Sequence, residues 1–327
     1  MLEPRKYSER LGVIDPGQLF DVAELFDLGD VRDAYPLGGG LFGQNLGIET
    51  TRGRFVLRGN PSELHQLSKE RYVAGFINAN SSLPAPWPYE ISEDTTIFGW
   101  PFAIMPFMPG TMGEELLLTS DDRGRVELAD AVGEALAALH EAESEFPGPY
   151  DAQKNAFIEV DDFKDWTLHR LSHLRNLCRA VNALSTEAEL FIDELIESNA
   201  AALDEPFTPV LVHHDFKYGN LNFDPDTYGS TGVFDLNEAY LGDGEEDLVR
   251  MMWLVKDPDE RRAFVRAYVE NWPLRPGAAE RLMLYMLADR MVIWEYGRRV
   301  AGWFGDTTFL ADVRPFLDLA RAVGSSA

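Results

Sequence analysis

The stretch Val212-His213-His214-Asp215-Phe216-Lys217-Tyr218-Gly219-Asn220 decides the fold, together with Val233-Phe234-Asp235-Leu236-Asn237 downstream. Its skeleton is His-x-Asp, an Asn five residues after the Asp, and a second Asp fifteen residues after that Asn, across a turn-rich gap. Phosphoryl transfer to a hydroxyl needs such a set. Asp215 is the carboxylate that takes or steers the proton of the attacking alcohol. Asn220 and Asp235 offer the amide and the second carboxylate that hold magnesium against a triphosphate. A strand-loop-strand hairpin would gather all three. Asp and Asn are also ordinary turn residues, and His-x-Asp alone would say little. The offset Asn and the Asp beyond a short hairpin carry the reading. His213, behind the apolar Leu211 and Val212, reads as a structural prop for the loop, and His214 as an extra residue. Lys217 stands where a cation reaches a transferring phosphoryl group and its developing charge, and so joins Asp215 as a catalytic candidate.

Working back along the chain, Leu37-Gly38-Gly39-Gly40-Leu41-Phe42-Gly43 is a glycine-rich turn. Gly39, Gly40 and Gly43 would let backbone approach phosphates closely. Strands are expected at Leu46 to Thr50 and Arg54 to Arg58, around the turn Thr51-Arg52-Gly53. The second ends in Arg58, a cation placed for the α- and β-phosphates. A helix over 63–78 would supply its carboxylate partner, Glu70, with Glu63 as the fallback. Two more strands are expected at Thr95 to Gly99 and Phe102 to Phe107. Met108-Pro109-Gly110 then reads as a boundary between an N-lobe, residues 1–107, and a C-lobe, residues 108–327. Helices dominate after it, at about 122–141, 161–184, 186–203, 246–256, 258–271 and 276–302, with one more after Pro315. The fold class is α+β, with a small antiparallel-sheet lobe and a large helical lobe.

Composition narrows the setting. The chain of 327 residues carries 29 basic and 55 acidic side chains, a formal charge of −26. Nucleic acid and anionic membrane surfaces call for basic patches, so neither is an expected partner. A cationic small molecule is compatible with the acidity. No apolar run reaches the roughly 18 residues of a membrane span, and no signal-peptide core follows the polar start. The one cysteine, Cys178, allows no internal disulfide, fits a cytoplasmic setting, and falls in an apolar-periodic stretch that reads as core.

The order glycine-rich hairpin, cation, helical Glu, Pro/Gly linker, His-x-Asp-x4-Asn and Asp resembles the aminoglycoside phosphotransferase-like kinase family, which is similar in fold to protein kinases and includes choline and homoserine kinases. The residues that carry the resemblance are Phe55-Val56-Leu57-Arg58, Lys69-Glu70-Arg71, Ala103-Ile104-Met105-Pro106, Leu211 to Asn220, Phe234 to Ala239, and Gly242-Asp243 through Asp247-Leu248. The resemblance implies a bilobal kinase-like fold, ATP or GTP as donor, Mg2+, and phosphorylation of a small-molecule hydroxyl. It also implies purine contacts from the strand end at Met105 to Phe107. Five positions depart from the family habit: His214 replaces a frequent Gly, Lys217-Tyr218 replaces His-Pro, Asn237 replaces a small residue, and Arg58 replaces Lys. None removes a group the chemistry needs.

The acceptor would bind beside Asp215. Candidate walls are Glu238, Asp243, Glu245 and Glu246, with Asp289, Trp294 and Glu295 on a late helix, a set suited to an amino sugar or another cationic polyol. An aminoglycoside-like antibiotic, which would imply a resistance role, a sugar and an amino alcohol all fit. Asp247 reads as a helix N-cap. The alternative is a kinase-like regulatory module that holds nucleotide without transfer. A monomer and a homodimer are equally compatible with the sequence.

Overall fold

The computed structural model describes residues 3–37, 43–63, 65–181 and 184–326. They form two compact units, neither of them one continuous stretch. The first gathers Met1–Leu118, Tyr150–Ala156 and Tyr218–Asn237; the second gathers Thr119–Pro149, Phe157–Lys217 and Glu238–Ala327.

A five-stranded antiparallel sheet organises the first unit, in the order Val31–Pro36, Asn45–Thr50, Arg54–Gly59, Phe102–Pro106, Glu90–Ser92. Side chains alternate between faces along each strand. Leu46, Ile48, Leu57, Phe102 and Ile104 turn to one face. They pack there on Leu19 and Val22 of the helix Pro16–Leu25 and on Tyr7, Leu11 and Ile14 of the N-terminal hairpin region. Met105 and Ala103 turn to the other face, with Val56 beside them, and meet Leu67 of the helix Gln66–Asn80 and Tyr89. Arg58 is two residues from Val56 and therefore projects to this second face. That helix buries Leu67, Glu70, Val73, Ala74 and Ile77, one stripe at helical spacing.

Two sequence expectations change here. The helix starts at Gln66, and Glu63 lies outside it, its carboxylate 3.0 Å from His65 Nε2. The expected strand at 95–99 is a turn, and the edge strand is Glu90–Ser92. Thr95, Thr96, Ile97 and Phe98 favour strands by type, but Asp94 Oδ1 accepts the Thr96 amide at 2.8 Å and Thr95 O accepts the Gly99 amide at 2.7 Å. Local side-chain capture of the backbone outcompetes the ladder.

The hairpin Leu221–Phe223 and Ser230–Val233 also belongs to this unit, paired Leu221 with Val233 and joined at its edge by Thr111–Met112. The Met108-Pro109-Gly110 segment packs on it: Asn222 Nδ2 donates to Pro109 O at 3.2 Å and Thr231 Oγ1 donates to the same oxygen at 2.7 Å. Gly110, at φ +94, is the one residue type that fits there, because a Cβ would fall 2.5 Å from Phe223 O.

The second unit is built of helices. Asp122–Leu139 packs on Pro258–Val269, and Ala278–Tyr296 packs on Phe163–Ala180, Thr186–Asn199 and Phe309–Ser326. The last helix begins before Pro315 and contains it, with Thr308 Oγ1 accepting the Ala311 amide in its first turn. Two short antiparallel strands, Val210–Val212 and Tyr240–Gly242, lead the chain into His213. Cys178 is buried, its thiol donates to Met291 O at 3.4 Å, and burial pushes its pKa up to about 12. No helix among the described residues is long and apolar enough to cross a membrane.

Candidate active site

In the first unit the sheet and its helix meet at Arg58. Asn45 stands opposite Arg58 across the strand pair, and its Oδ1 accepts from Arg58 Nη1 at 3.2 Å. Arg58 Nη2 donates to Glu70 Oε1 at 2.7 Å, and Nε lies 2.6 Å from Glu70 Oε2 without the angle of a hydrogen bond. Glu70 is held from behind: Tyr89 OH donates to Oε2 at 2.8 Å and Gln66 Nε2 to Oε1 at 3.0 Å. Burial would lower the Arg58 pKa; the Glu70 charge and its hydrogen bond, with Tyr89 and Asp235, together outweigh burial and keep the guanidinium charged. Burial and Glu70 together push the Tyr89 phenol far above its ordinary range, so it stays a donor.

Asp235 reaches this group, with Oδ1 3.9 Å from Arg58 Nη2. The hairpin places it. Asn220 O accepts the Phe234 amide at 2.9 Å, one step beyond the Leu221–Val233 pair, so Asn220 and Asp235 sit at the same end of the hairpin. Asn220 is buried and Asp235 is exposed. Asp235 has φ +61, a conformation uncommon outside glycine that Asp tolerates better than most. The structure thus gathers Arg58, Glu70 and Asp235 in one unit.

Of the glycine-rich turn, Gly39 and Gly40 lie outside the described residues. Gly43 has φ +58, and its carbonyl accepts from Ser8 Oγ at 2.5 Å. Met105 is buried between sheet and helix, and the Phe107 amide donates to Arg54 O at 3.0 Å with the Arg54 guanidinium 3.7 Å over the Phe107 ring.

The second unit carries Asp215. Its Oδ2 accepts from Lys217 Nζ at 2.6 Å and its Oδ1 from Arg250 Nη1 at 2.7 Å. Burial would raise the Asp215 carboxyl; Arg250 and Lys217 outweigh it and hold the group below its usual range, ionised at neutral pH. The loop backbone is gripped by Asp247, whose Oδ2 and Oδ1 accept the His213 and His214 amides, each at 2.7 Å. Asp247 does stand at the start of the helix Leu248–Leu254, but its side chain caps nothing there. It is buried with His140, whose Nε2 lies 3.2 Å from Oδ2. Two nearby loop amides, at shorter distance, take the carboxylate that a cap would have used. His213 is buried and its Nδ1 accepts the Asp215 amide at 3.3 Å, the propping expected of it.

His214 has φ +67, which a glycine would adopt without strain. Its Nε2 lies 3.0 Å from Arg170 Nη2, and since the guanidinium only donates, that nitrogen accepts. Burial first, then Arg170, push its pKa down, so the ring is neutral.

The acids read as acceptor walls are mostly committed. Asp243 Oδ2 accepts from Tyr285 OH at 2.7 Å and pairs with Arg275. Glu245 accepts from Arg281 at 2.8 and 2.9 Å. Glu246 accepts from Arg170 at 3.0 and 3.2 Å and from Tyr240. Asp289 Oδ1 accepts from Arg250 Nε at 2.6 Å and Oδ2 from Trp253 Nε1 at 2.7 Å. Glu295 pairs with Arg299. Trp294 is 1% exposed, with its ring 4.3 Å from that of Phe304. Glu238 is the exposed member of the set. Buried charges need partners, and here arginines supply them.

Those arginines were not among the residues expected from the sequence. Arg250 follows Asp247 by one helical turn, and Arg170 follows Trp166 by one turn and stacks 4.7 Å over its ring. Helical spacing was the available signal in both cases.

The model of the phosphotransferase enzyme family matches residues 33–280. A crystallised aminoglycoside phosphotransferase, APH(4)-Ia in a ternary complex with ADP and hygromycin B, is similar at TM-score 0.66 and 19% identity, over 94% of this chain and 98% of that one. A Thermobifida fusca protein assigned as a fructosamine-3-kinase is similar at TM-score 0.62 and 19% identity, over 94% and 98%. In sequence, the Mus musculus acyl-CoA dehydrogenase family member 10 is 25% identical over 201 residues, 60% of this chain; the match spans only 18% of that protein.

Proposed function

The chain belongs to the phosphotransferase enzyme family, and from that premise we propose that it moves the terminal phosphate of ATP or GTP to a hydroxyl of a small molecule with the help of Mg2+. The observation that carries the reading is Asp215, an ionised carboxylate held between Lys217 and Arg250 and followed five residues later by Asn220. Asp215, Asn220 and Asp235 are all retained, which favours transfer over mere nucleotide holding.

Asn220 and Asp235 fit magnesium. Both offer hard oxygens at one end of one hairpin, and magnesium takes few protein ligands, filling the rest with phosphate oxygen and water. Bound there with nucleotide, the ion would supply neutralisation of phosphate charge. Arg58, held flat by Glu70 and Asn45, offers a planar fork suited to phosphate oxygens. Gly39, Gly40 and Gly43 would allow backbone near the phosphates, and Met105 and Phe107 would border the purine.

Asp215 cannot strip an alcohol in advance, since an ordinary Asp carboxyl has a pKa near 3.9 and this one is held lower. It aims the hydroxyl by accepting its hydrogen bond and takes the proton as the new P–O bond forms, which a loose transition state permits. Lys217 would share its charge with the transferring group.

The acids that suggested a cationic acceptor are largely neutralised by arginine, so their charge does not choose among an aminoglycoside-like antibiotic, a sugar and an amino alcohol. The test is a panel of aminoglycosides, macrolides, hexoses, choline and homoserine with ATP and GTP, read by nucleotide consumption, for wild type and Asp215→Asn. Turnover of an acceptor that Asp215→Asn removes is expected. An acceptor turned over equally well by that variant would sink the assignment.

A further inference from the structure

We propose that Arg250 is a positioning residue for phosphoryl transfer: it fixes the orientation of the Asp215 carboxylate, and Asp289 with Trp253 fixes Arg250. The inference rests on the phosphotransferase reading and adds a residue to it.

The arrangement is a relay of fixed geometry inside one unit. Arg250 Nη1 donates to Asp215 Oδ1 at 2.7 Å while its Nε donates to Asp289 Oδ1 at 2.6 Å. Two bonds from different edges of a planar guanidinium set the plane of that group. Asp289 is itself set by Trp253 Nε1 at 2.7 Å, and Trp253 lies on the same helix as Arg250, Leu248–Leu254. The side chains of Arg250 and Asp289 are 12% and 7% exposed, against 32% for Lys217, the other cation on Asp215. Of the two cations, Arg250 is therefore the one with a rigid mounting. The segment grips the loop twice: Asp247 holds the His213 and His214 amides, and Arg250, three residues on, holds the Asp215 side chain. A purely structural arginine needed only Asp289. Its second bond goes to the carboxylate that must face the acceptor.

The experiment compares Arg250→Met, Arg250→Lys, Asp215→Asn and the double variant Asp215→Asn/Arg250→Met, using ATP or GTP and whichever panel acceptor wild type turns over. Readouts are kcat, the nucleotide KM and the melting temperature. A misaimed group costs up to about 100-fold, so R250M should lower kcat by about 10- to 100-fold, with the nucleotide KM within about two-fold. R250K restores the charge without the bridge and should recover part of the rate. Asp215→Asn/Arg250→Met should be no slower than D215N, because Arg250 then has no carboxylate to aim. Wild-type kcat in R250M overturns the proposal, as does a double variant slower than D215N by the factor R250M costs wild type. Should R250M fail to fold, R250K decides: a lowered kcat at an unchanged melting temperature supports the role, and an unchanged kcat overturns it. If D215N itself keeps wild-type turnover, the phosphotransferase assignment has failed first, and this inference fails with it.

Discussion

Arg58 in the first unit and Asp215 in the second each sit in an arginine–carboxylate pair, and the two pairs have their roles exchanged. In the first, the cation is the group proposed to work on phosphate. Glu70 holds it, and Tyr89 and Gln66 hold Glu70. In the second, the carboxylate is the group proposed to aim the acceptor hydroxyl. Arg250 holds it, Asp289 holds Arg250, and Trp253 holds Asp289. Each working charge has one buried partner of opposite sign, and that partner is tied back by neutral donors or a second acid. The scheme keeps a charge ionised and aimed without leaving its partner unsatisfied, which would cost more than the pair gains. Under the proposed function it also separates two jobs, holding phosphate and aiming a hydroxyl, that should respond differently to mutation.

The sharpest break of the comparison is at the carboxylate. Positioned acid–base groups contribute about 10²- to 10⁴-fold, so Asp215→Asn should lower kcat by that order while the nucleotide Kd, measured by calorimetry, stays near wild type. At the cation the pattern should invert. Charge-assisted hydrogen bonds contribute about 1.5–3 kcal/mol, so Arg58→Met should weaken nucleotide binding by roughly 10- to 100-fold. Glu70→Gln should follow it in the same direction. An Arg58→Met variant with wild-type nucleotide affinity and a collapsed kcat would mean that the division of labour is misdrawn.

The groups proposed to do the work could be picked out in the chain, and their mountings could not. Asp215, Asn220 and Asp235 lie within one loop and one hairpin, so spacing alone exposes them. Arg58 and Glu70 could be paired because strand alternation and helix periodicity each point one side chain inward. Asp289 comes from a distant helix, and no local pattern joins it to Arg250 or Trp253. The acid-rich run Asp243 to Asp247 looked like a surface for a cationic acceptor, because sequence shows charges and not their partners. Burial turned each acid toward an arginine, a tyrosine or a backbone amide. The same logic misplaced Asp247, where loop amides took the carboxylate from the helix start. Local competition likewise erased the strand expected at 95–99.

A smaller effect separates the units by pH. His214 belongs to the Asp215 loop, and burial with Arg170 depresses its folded pKa. A histidine that is harder to protonate when folded contributes stability above its unfolded pKa, about 6.5, and that stability is lost as pH falls through the folded value. The melting temperature should therefore fall as pH drops below about 6.5. His214→Asn should flatten that slope, and a slope unchanged in His214→Asn would assign the pH response elsewhere.

The smallest effect is expected from His214→Gly. Glycine relieves the left-handed strain at φ +67, which costs of order 1–3 kcal/mol for a side chain. It also gives up the ring's contact with Arg170 and the edge-on packing on Tyr240, whose ring centroid is 5.9 Å away. Arg170 keeps Glu246 and Tyr240 as acceptors, so no buried charge is stranded. Strain relief and lost contact should nearly cancel, leaving stability at pH 8 within about 1 kcal/mol of wild type. Because Asp247 holds this loop through its backbone amides, which glycine retains, kcat should change little. A large loss of kcat in His214→Gly would show that the imidazole, rather than Asp247 and Arg250, aims the Asp215 carboxylate.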